Sequence, residues 1–327
     1  MTIRTSLTSL RTQSLLASER ARDPQRLLAS GFKGYSQNDE DGILQEIFRR
    51  INVTRQTFVE FGAGSGTQNN TLYLLFSGWR GLWIECDASL VSSINKALAA
   101  YIENGQLVVR QAFVEPDSID SIIHSGGFDG EIDLLSIDID GNDYWVWNEI
   151  SSVKPRVVTI EYNATFRLPV SVVKDYRKEY RWDGTNYDGA SLKALEGLGR
   201  QKGYALVGCC LAGVNAFFVR QDLVEDRFCS PFTTENHYEP PRFSLLGADL
   251  MRITTPQGWA CTKGSSTTAN GNRGPYRDPV KGPLWWRWGA TIKFQSAKAN
   301  AASASTPWPL PLRKSRRLCR RREPLFA

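Results

Sequence analysis

The sequence predicts an α/β protein built on a Rossmann-like, doubly wound and mostly parallel sheet of seven strands with an antiparallel edge hairpin. Three observations predict it. Apolar runs alternate with helical stretches from residue 58 to residue 162, which is the pattern of a parallel sheet covered by helices on both faces. The first run, Phe58-Val59-Glu60-Phe61, leads into Gly62-Ala63-Gly64-Ser65-Gly66, a turn whose alternate glycines can take positive φ and bring backbone close to a ligand. The last two runs, 204–210 and 214–220, are separated only by Leu211-Ala212-Gly213, so they form a hairpin.

Taken in order, residues 1–30 read as a helical N-terminal extension interrupted near Pro24. A helix from 39 to 51 follows, capped by Ser36 or Asn38, with acids in its first turn and Arg49-Arg50 in its last, the order the helix dipole favours. After strand 58–61 and the glycine turn comes an apolar helix over 71–76, stopped by Ser77-Gly78, and strand 81–87, which ends in acids. The pattern then repeats: helix 90–102, strand 107–113, helix 118–124, strand 132–139, helix 145–150, strand 156–162. A helix over 189–201 precedes the hairpin. The domain so defined spans 31–226. Residues 227–295, rich in Pro, Gly and Trp (Trp259, Trp285, Trp286, Trp288), read as an irregular appendage, and 296–327 as a disordered basic tail.

The chain carries a net charge of +6, yet the segment 296–327 alone holds eight basic residues and one acid, so the rest is close to neutral. That placement argues against nucleic-acid binding except through the tail at 313–322. Six cysteines without C-x-x-C spacing suggest neither a zinc site nor a disulfide framework, and reduced buried thiols are expected. No stretch has membrane-spanning length and no secretory h-region opens the chain, so a cytoplasmic protein without a membrane span is expected. Both histidines, His124 and His237, are expected at the surface.

The glycine spacing separates two nucleotide ligands. A dinucleotide fingerprint needs glycine at 67, where this chain has Thr67. Glu60, two residues before Gly62, suits instead a cationic ligand end. Glu85, 19 residues after Gly66, ends the second strand where a carboxylate can accept ribose hydroxyls, with Asp87 as the substitute; either acid can also merely cap the next helix. At the ends of the fourth and fifth strands, Asp138 and Asp140 share one parity, and Glu161 and Asn163 share one. Ligand crevices form over such ends.

These motifs, in order, resemble the FkbM-like family of class I S-adenosylmethionine (SAM) dependent methyltransferases. The resemblance rests on Ser36-Gln37-x-x-Glu40-Asp41-Gly42-Ile43-Leu44, Val59-Glu60-Phe61-Gly62-Ala63-Gly64, Gly78-Trp79-Arg80-Gly81-Leu82-Trp83-Ile84-Glu85, Leu135-Ser136-Ile137-Asp138-Ile139-Asp140-Gly141-Asn142-Asp143 and Asn215-Ala216-Phe217-Phe218-Val219, and it covers about 34–220. It implies SAM as methyl donor, held by Glu60, Gly62, Gly64 and Gly66 at the methionine end, by Glu85 at the ribose, and by Ala112 and Phe113 at the adenine, with Gln37 and Asp41 as further cofactor-binding residues. It implies O-methylation of a sugar or other small polar acceptor. Asp138, Asp140, Glu161 and Asn163 would face that acceptor. Either a magnesium ion on Asp138, Glu161 and Asn163 acidifies the hydroxyl, as in catechol-type enzymes, or one carboxylate acts directly as base. Tyr187-x-Gly189 is placed on the substrate side. Two rivals remain: an NAD-dependent or nucleotide-sugar oxidoreductase, and a non-catalytic binding protein that keeps the fold.

Overall fold

The computed structural model describes residues 11–242 and Leu245. Its centre is one seven-stranded sheet: β1 (Thr57–Phe61), β2 (Arg80–Glu85), β3 (Leu107–Gln111), β4 (Gly130–Ile137), β5 (Val153–Glu161), β6 (Tyr204–Cys209) and β7 (Asn215–Arg220), in the spatial order β3-β2-β1-β4-β5-β7-β6. Pairings from β3 through β5 are parallel, and β7 runs antiparallel to both β5 and β6. This is the predicted Rossmann-like sheet with its edge hairpin.

Period-2 alternation divides the core between the two faces. Val59, Phe61, Leu135, Ile137, Val158 and Ile160 bury one face against the helices Ile119–Ser125, Asp143–Glu149 and Leu192–Gln201, chiefly through Ile123, Trp147, Leu195 and Leu198. Phe58, Trp83, Leu134, Val157 and Phe217 bury the other against Glu40–Ile51, Leu72–Phe76 and Ala88–Ala97. In Glu40–Ile51 the apolar side chains Ile43, Leu44, Ile47, Phe48 and Ile51 recur at helical spacing, each burial contributing about 1.5–3 kcal/mol. Strand order reverses at β1, with β2 on one side and β4 on the other, so the crevice lies beyond the C-terminal ends of β1 and β4.

Several expectations need correction. The single helix over 90–102 is two, Ala88–Ala97 and Ala99–Glu103, because buried Leu98 leaves helical geometry at ψ 24. Neither Ser36 nor Asn38 caps the Glu40–Ile51 helix. Asp39 holds that position, without a cap bond, and accepts instead from the Leu211 N–H at 3.2 Å. His237 is buried rather than superficial, its Nε2 3.0 Å from the Cys229 carbonyl, and burial pushes its pKa down to about 4. The reason is that residues 227–242 pack onto the body. Phe228 joins the second core, Arg20 pairs with Glu239 at 3.0 Å, and Arg26 donates to Asn236 Oδ1 at 2.5 Å. The four tryptophans of the appendage and the basic tail lie outside the described residues. Cys209, Cys210 and Cys229 are buried free thiols, and Cys86 is partly buried. Among the described residues, no helix is long and apolar enough to cross a membrane.

Gly81 sits opposite Phe58 in the β1–β2 register, and a Cβ there would stand 1.8 Å from the Phe58 ring. Gly81→Ala is expected to destabilise the fold by about 1–3 kcal/mol, read as a lower urea midpoint with unchanged slope. Wild-type stability in that variant would contradict this packing.

Candidate active site

The three glycines of the turn all have positive φ (72°, 61° and 71° at Gly62, Gly64 and Gly66), but they serve different neighbours. A Cβ on Gly62 would stand 1.8 Å from the Asp138 carbonyl oxygen, so this glycine lets the ends of β1 and β4 approach. A Cβ on Gly66 would stand 2.9 Å from the Trp83 ring and 3.1 Å from Ile94. Gly62 and Gly64 line a cavity of ≈ 460 Å³, a size suited to a small-molecule ligand. Gly66 lies outside its lining.

Glu60 projects from β1 into the lining of this cavity and is 2% exposed. It accepts four hydrogen bonds: from Asn69 Nδ2 (2.7 Å), Asn70 N–H (2.8 Å), Thr71 Oγ1 (2.5 Å) and Ser136 Oγ (3.3 Å). Burial raises its pKa, and the four donors oppose that rise. Its oxygens are thus committed to protein donors, whereas the sequence reading offered them to a ligand. The same bonds fix the Asn69 amide, whose Oδ1 has no partner although the residue is 8% exposed and lines the cavity.

Glu85, at the end of β2, accepts from Gly64 N–H (2.9 Å) and Asp87 N–H (2.8 Å) and also lines the cavity. Asp87 caps the next helix through Ser89 and Leu90 N–H groups. Because β3 ends at Gln111, Ala112 and Phe113 fall in the loop beyond it, on the cavity wall, where the Arg181 guanidinium lies 5.7 Å from the Phe113 ring centroid. Gln37 also lines the wall. Asp41 does not: its Oδ2 collects the N–H groups of Gly34, Tyr35 and Ser36.

Beyond the ends of β4 and β5 is an acidic floor. One oxygen each from Asp138, Asp140 and Glu161 lie within 4.8 Å of one another. Asp138 and Asp140 line the cavity. Asp140 has a left-handed backbone (φ 57°), and buried Asp143 secures the turn by accepting from the Ile139 and Gly141 N–H groups at 2.9 Å. Burial, then repulsion from neighbouring acids, holds Asp138 and Glu161 well above the usual carboxylate range and Asp140 at about 7. Asn163 is elsewhere engaged: its Nδ2 donates to the Asn186 and Asp188 carbonyls, and its Oδ1 accepts from Thr165 N–H. Asn215, which sequence reasoning left without a role, faces Glu161 in the β5–β7 register and lines the cavity.

Residues 164–191 form the cover. Tyr176 Oη donates to Glu115, the Glu179 N–H donates to the same carboxylate (2.6 Å), and Asn142 Nδ2 donates to the Arg177 carbonyl (2.8 Å). These ties bring Tyr180, Arg181 and Trp182 to the cavity wall. Gly141 permits the close fit, since a Cβ there would meet Asp188 and the Tyr180 ring at 2.5 Å. Tyr187 is exposed and packs edge-on against Phe166, away from that lining. His124 is exposed and paired with Asp129 at 2.9 Å.

No family model matches the chain, and no curated protein matches it in sequence. Among solved structures, the glycopeptide N-methyltransferase MtfA complexed with sinefungin aligns at a TM-score of 0.36 and 14% identity, covering 67% of this chain and 98% of that one. A SAM-dependent methyltransferase from Clostridium acetobutylicum aligns at 0.37 and 8% identity, covering 65% and 98%. The [4+2]-cyclase SpnF aligns at 0.33 and 12% identity, covering 62% and 74%. SAM-dependent methyltransferases are thus among the structures similar to this chain, beside an enzyme named for another reaction, and fold likeness leaves the reaction open.

The acidic floor sets a pH dependence. Groups whose folded pKa exceeds the unfolded value stabilise the fold fully below the ordinary carboxylate range, and that contribution is lost as pH rises through the folded value. For Asp140 the window runs from the ordinary carboxylate value of 3.8 up to about 7, and Asp39 and Asp188, raised to about 7 and about 6, act in the same direction. Metal-free, ligand-free protein is therefore expected to lose thermal stability between about pH 5 and about pH 8, and Asp140→Asn to lose less. A melting temperature that rises across that interval would contradict the assignment.

Proposed function

We propose that the chain is a SAM-dependent methyltransferase that transfers the sulfonium methyl group to a hydroxyl of a small polar acceptor such as a sugar, and that it stands nearest the FkbM-like enzymes on the motifs quoted above. One observation carries the choice of ligand. The glycine turn does not open directly into a helix: Leu72–Phe76 begins six residues after Gly66, and the intervening segment is folded back onto Glu60. A dinucleotide pyrophosphate would need a helix N-terminus at the turn. Asn69, on the cavity wall, carries a buried side-chain oxygen without a partner, an acceptor suited to the ammonium of the methionine portion.

In this reading Asn69 Oδ1 accepts from the ammonium, and Glu60 is the residue that positions it. Gln37 supplies an amide to the methionine carboxylate. Glu85 uses its remaining lone pairs for the ribose hydroxyls, and Ala112, Phe113 and Arg181 enclose the adenine. Methyl transfer is an in-line displacement, so the acceptor hydroxyl must lie on the far side of the methyl group, towards Asp138 and Asp140. A carboxylate of that floor takes the hydroxyl proton. The segment carrying Tyr180, Arg181 and Trp182 excludes water from the closed site.

Calorimetric titration of the purified chain with SAM and with NAD tests the reading. SAM is expected to bind, and Asn69→Ala to weaken it roughly ten- to hundredfold, the worth of a hydrogen bond to a charged group. NAD binding without SAM binding would favour the oxidoreductase, and binding of neither would favour a protein that keeps only the fold. Transfer of label from methyl-labelled SAM to a hydroxyl-bearing metabolite in an extract of the source cells would identify the acceptor.

A further inference from the structure

We propose that Glu115 is a positioning residue for the cofactor: it does not line the cavity, yet its carboxylate latches the turn 176–180 over the nucleoside end and so sets how fast the ligand is exchanged. The identity of that ligand rests on the methyltransferase reading. The geometry follows from strand order. Glu115 comes after β3 and Asn142 after β4, and in the order β3-β2-β1-β4 those strands stand three spacings apart, about 14 Å. Between them end β2 and β1, which carry Glu85 and the glycine turn. Both side chains nevertheless meet one turn. Glu115 accepts from Tyr176 Oη and from the Glu179 N–H (2.6 Å), Asn142 Nδ2 donates to the Arg177 carbonyl (2.8 Å), and the Tyr180 N–H donates to that same carbonyl at 3.2 Å. The residues that leave this turn, Tyr180, Arg181 and Trp182, are the ones on the cavity wall.

Apolar packing contributes little to this roof. None of residues 175–189 is buried, so the segment depends on its polar ties, and a segment held in that way opens locally at low cost. Glu115 is the opposite case. It is 6% exposed, and its backbone carbonyl accepts from the Ser118 and Ile119 N–H groups at 3.2 and 3.0 Å where the helix Ile119–Ser125 begins, so its carboxylate is presented from a fixed base. Glu179 has φ 53°, a left-handed backbone that a residue with a Cβ adopts only where its surroundings impose it, and its N–H is the one aimed at Glu115. Latch and nucleoside wall also share a loop. Phe113 lies two residues before Glu115, and the Arg181 guanidinium lies 5.7 Å from its ring centroid. Releasing Glu115 therefore separates the Arg181 side of the wall from the Phe113 side, and a ligand held between them is freed.

The test pairs two measurements on the full chain: amide hydrogen exchange without ligand, and dissociation of labelled SAM chased with unlabelled SAM. In Glu115→Ala, exchange over 175–183 is expected to quicken about tenfold while β5 keeps its wild-type protection, and SAM is expected to leave about tenfold faster. Glu115→Gln keeps an acceptor oxygen for the Glu179 N–H and is expected to stand near wild type in both. Tyr176→Phe, which leaves the Glu179 bond in place and decides the matter if Glu115→Ala does not fold, is expected to move both rates the same way by about threefold. Wild-type exchange over 175–183 in Glu115→Ala and Tyr176→Phe overturns the latch. So does faster exchange there with unchanged SAM dissociation, and so does exchange that quickens equally in β5, which would assign Glu115 to the fold as a whole. Faster exchange confined to 175–183 in a chain whose wild type takes up no SAM supports the latch and counts against the methyltransferase reading alone.

Discussion

The structure depends on one buried carboxylate. Glu60 accepts from Asn69, Asn70, Thr71 and Ser136, and Thr71 in turn accepts from the Trp83 indole N–H at 2.7 Å. These contacts join β1, β2, β4 and the chain leading into the Leu72–Phe76 helix at a single point. A carboxylate this buried would be costly without donors, and removing one would leave it uncompensated. The network therefore fixes the path of residues 67–71, and with it the direction of the free oxygen on Asn69.

The two ends of the cavity share a chemical bias. Asn69 Oδ1, Glu85, Asp138, Asp140 and Asn215 Oδ1 are all acceptors, and the cations near the wall, Lys174 and Arg181, are directed to Asp188 and towards the Phe113 ring. Positive charge and hydroxyl donors are what these acceptors would complement. Burial first, and then repulsion among the acids of the floor, raises their pKa values together.

Much of this was legible in the sequence where local pattern governs. Apolar runs located all seven strands, and the three-residue gap before Val214 located the hairpin. The parity argument at the strand ends held only as far as the pleat continues. β4 stops at Ile137 and β5 at Glu161, so Asp140 enters the floor through a left-handed turn and Asn163 drops into a loop. A glycine spacing cannot tell ligand approach from packing, and Gly66 lies against Trp83. Asp41 looked like a ligand by position but organises backbone N–H groups. Tyr180-Arg181-Trp182 lies in a segment without periodicity, and its one signal was composition, two aromatics flanking an arginine, as binding surfaces favour. Asn215 was quoted only as part of a motif, because its place at the cavity arises from a pairing with Glu161 more than fifty residues away in sequence.

A crystal structure of the chain with S-adenosylhomocysteine bound tests the central claim most directly. The account predicts the ligand ammonium within about 2.7–3.2 Å of Asn69 Oδ1, with the ribose at Glu85 and Glu60 still holding its four protein donors. An ammonium bound directly to Glu60, with Asn69 turned away, or a ligand seated outside the cavity, would contradict it.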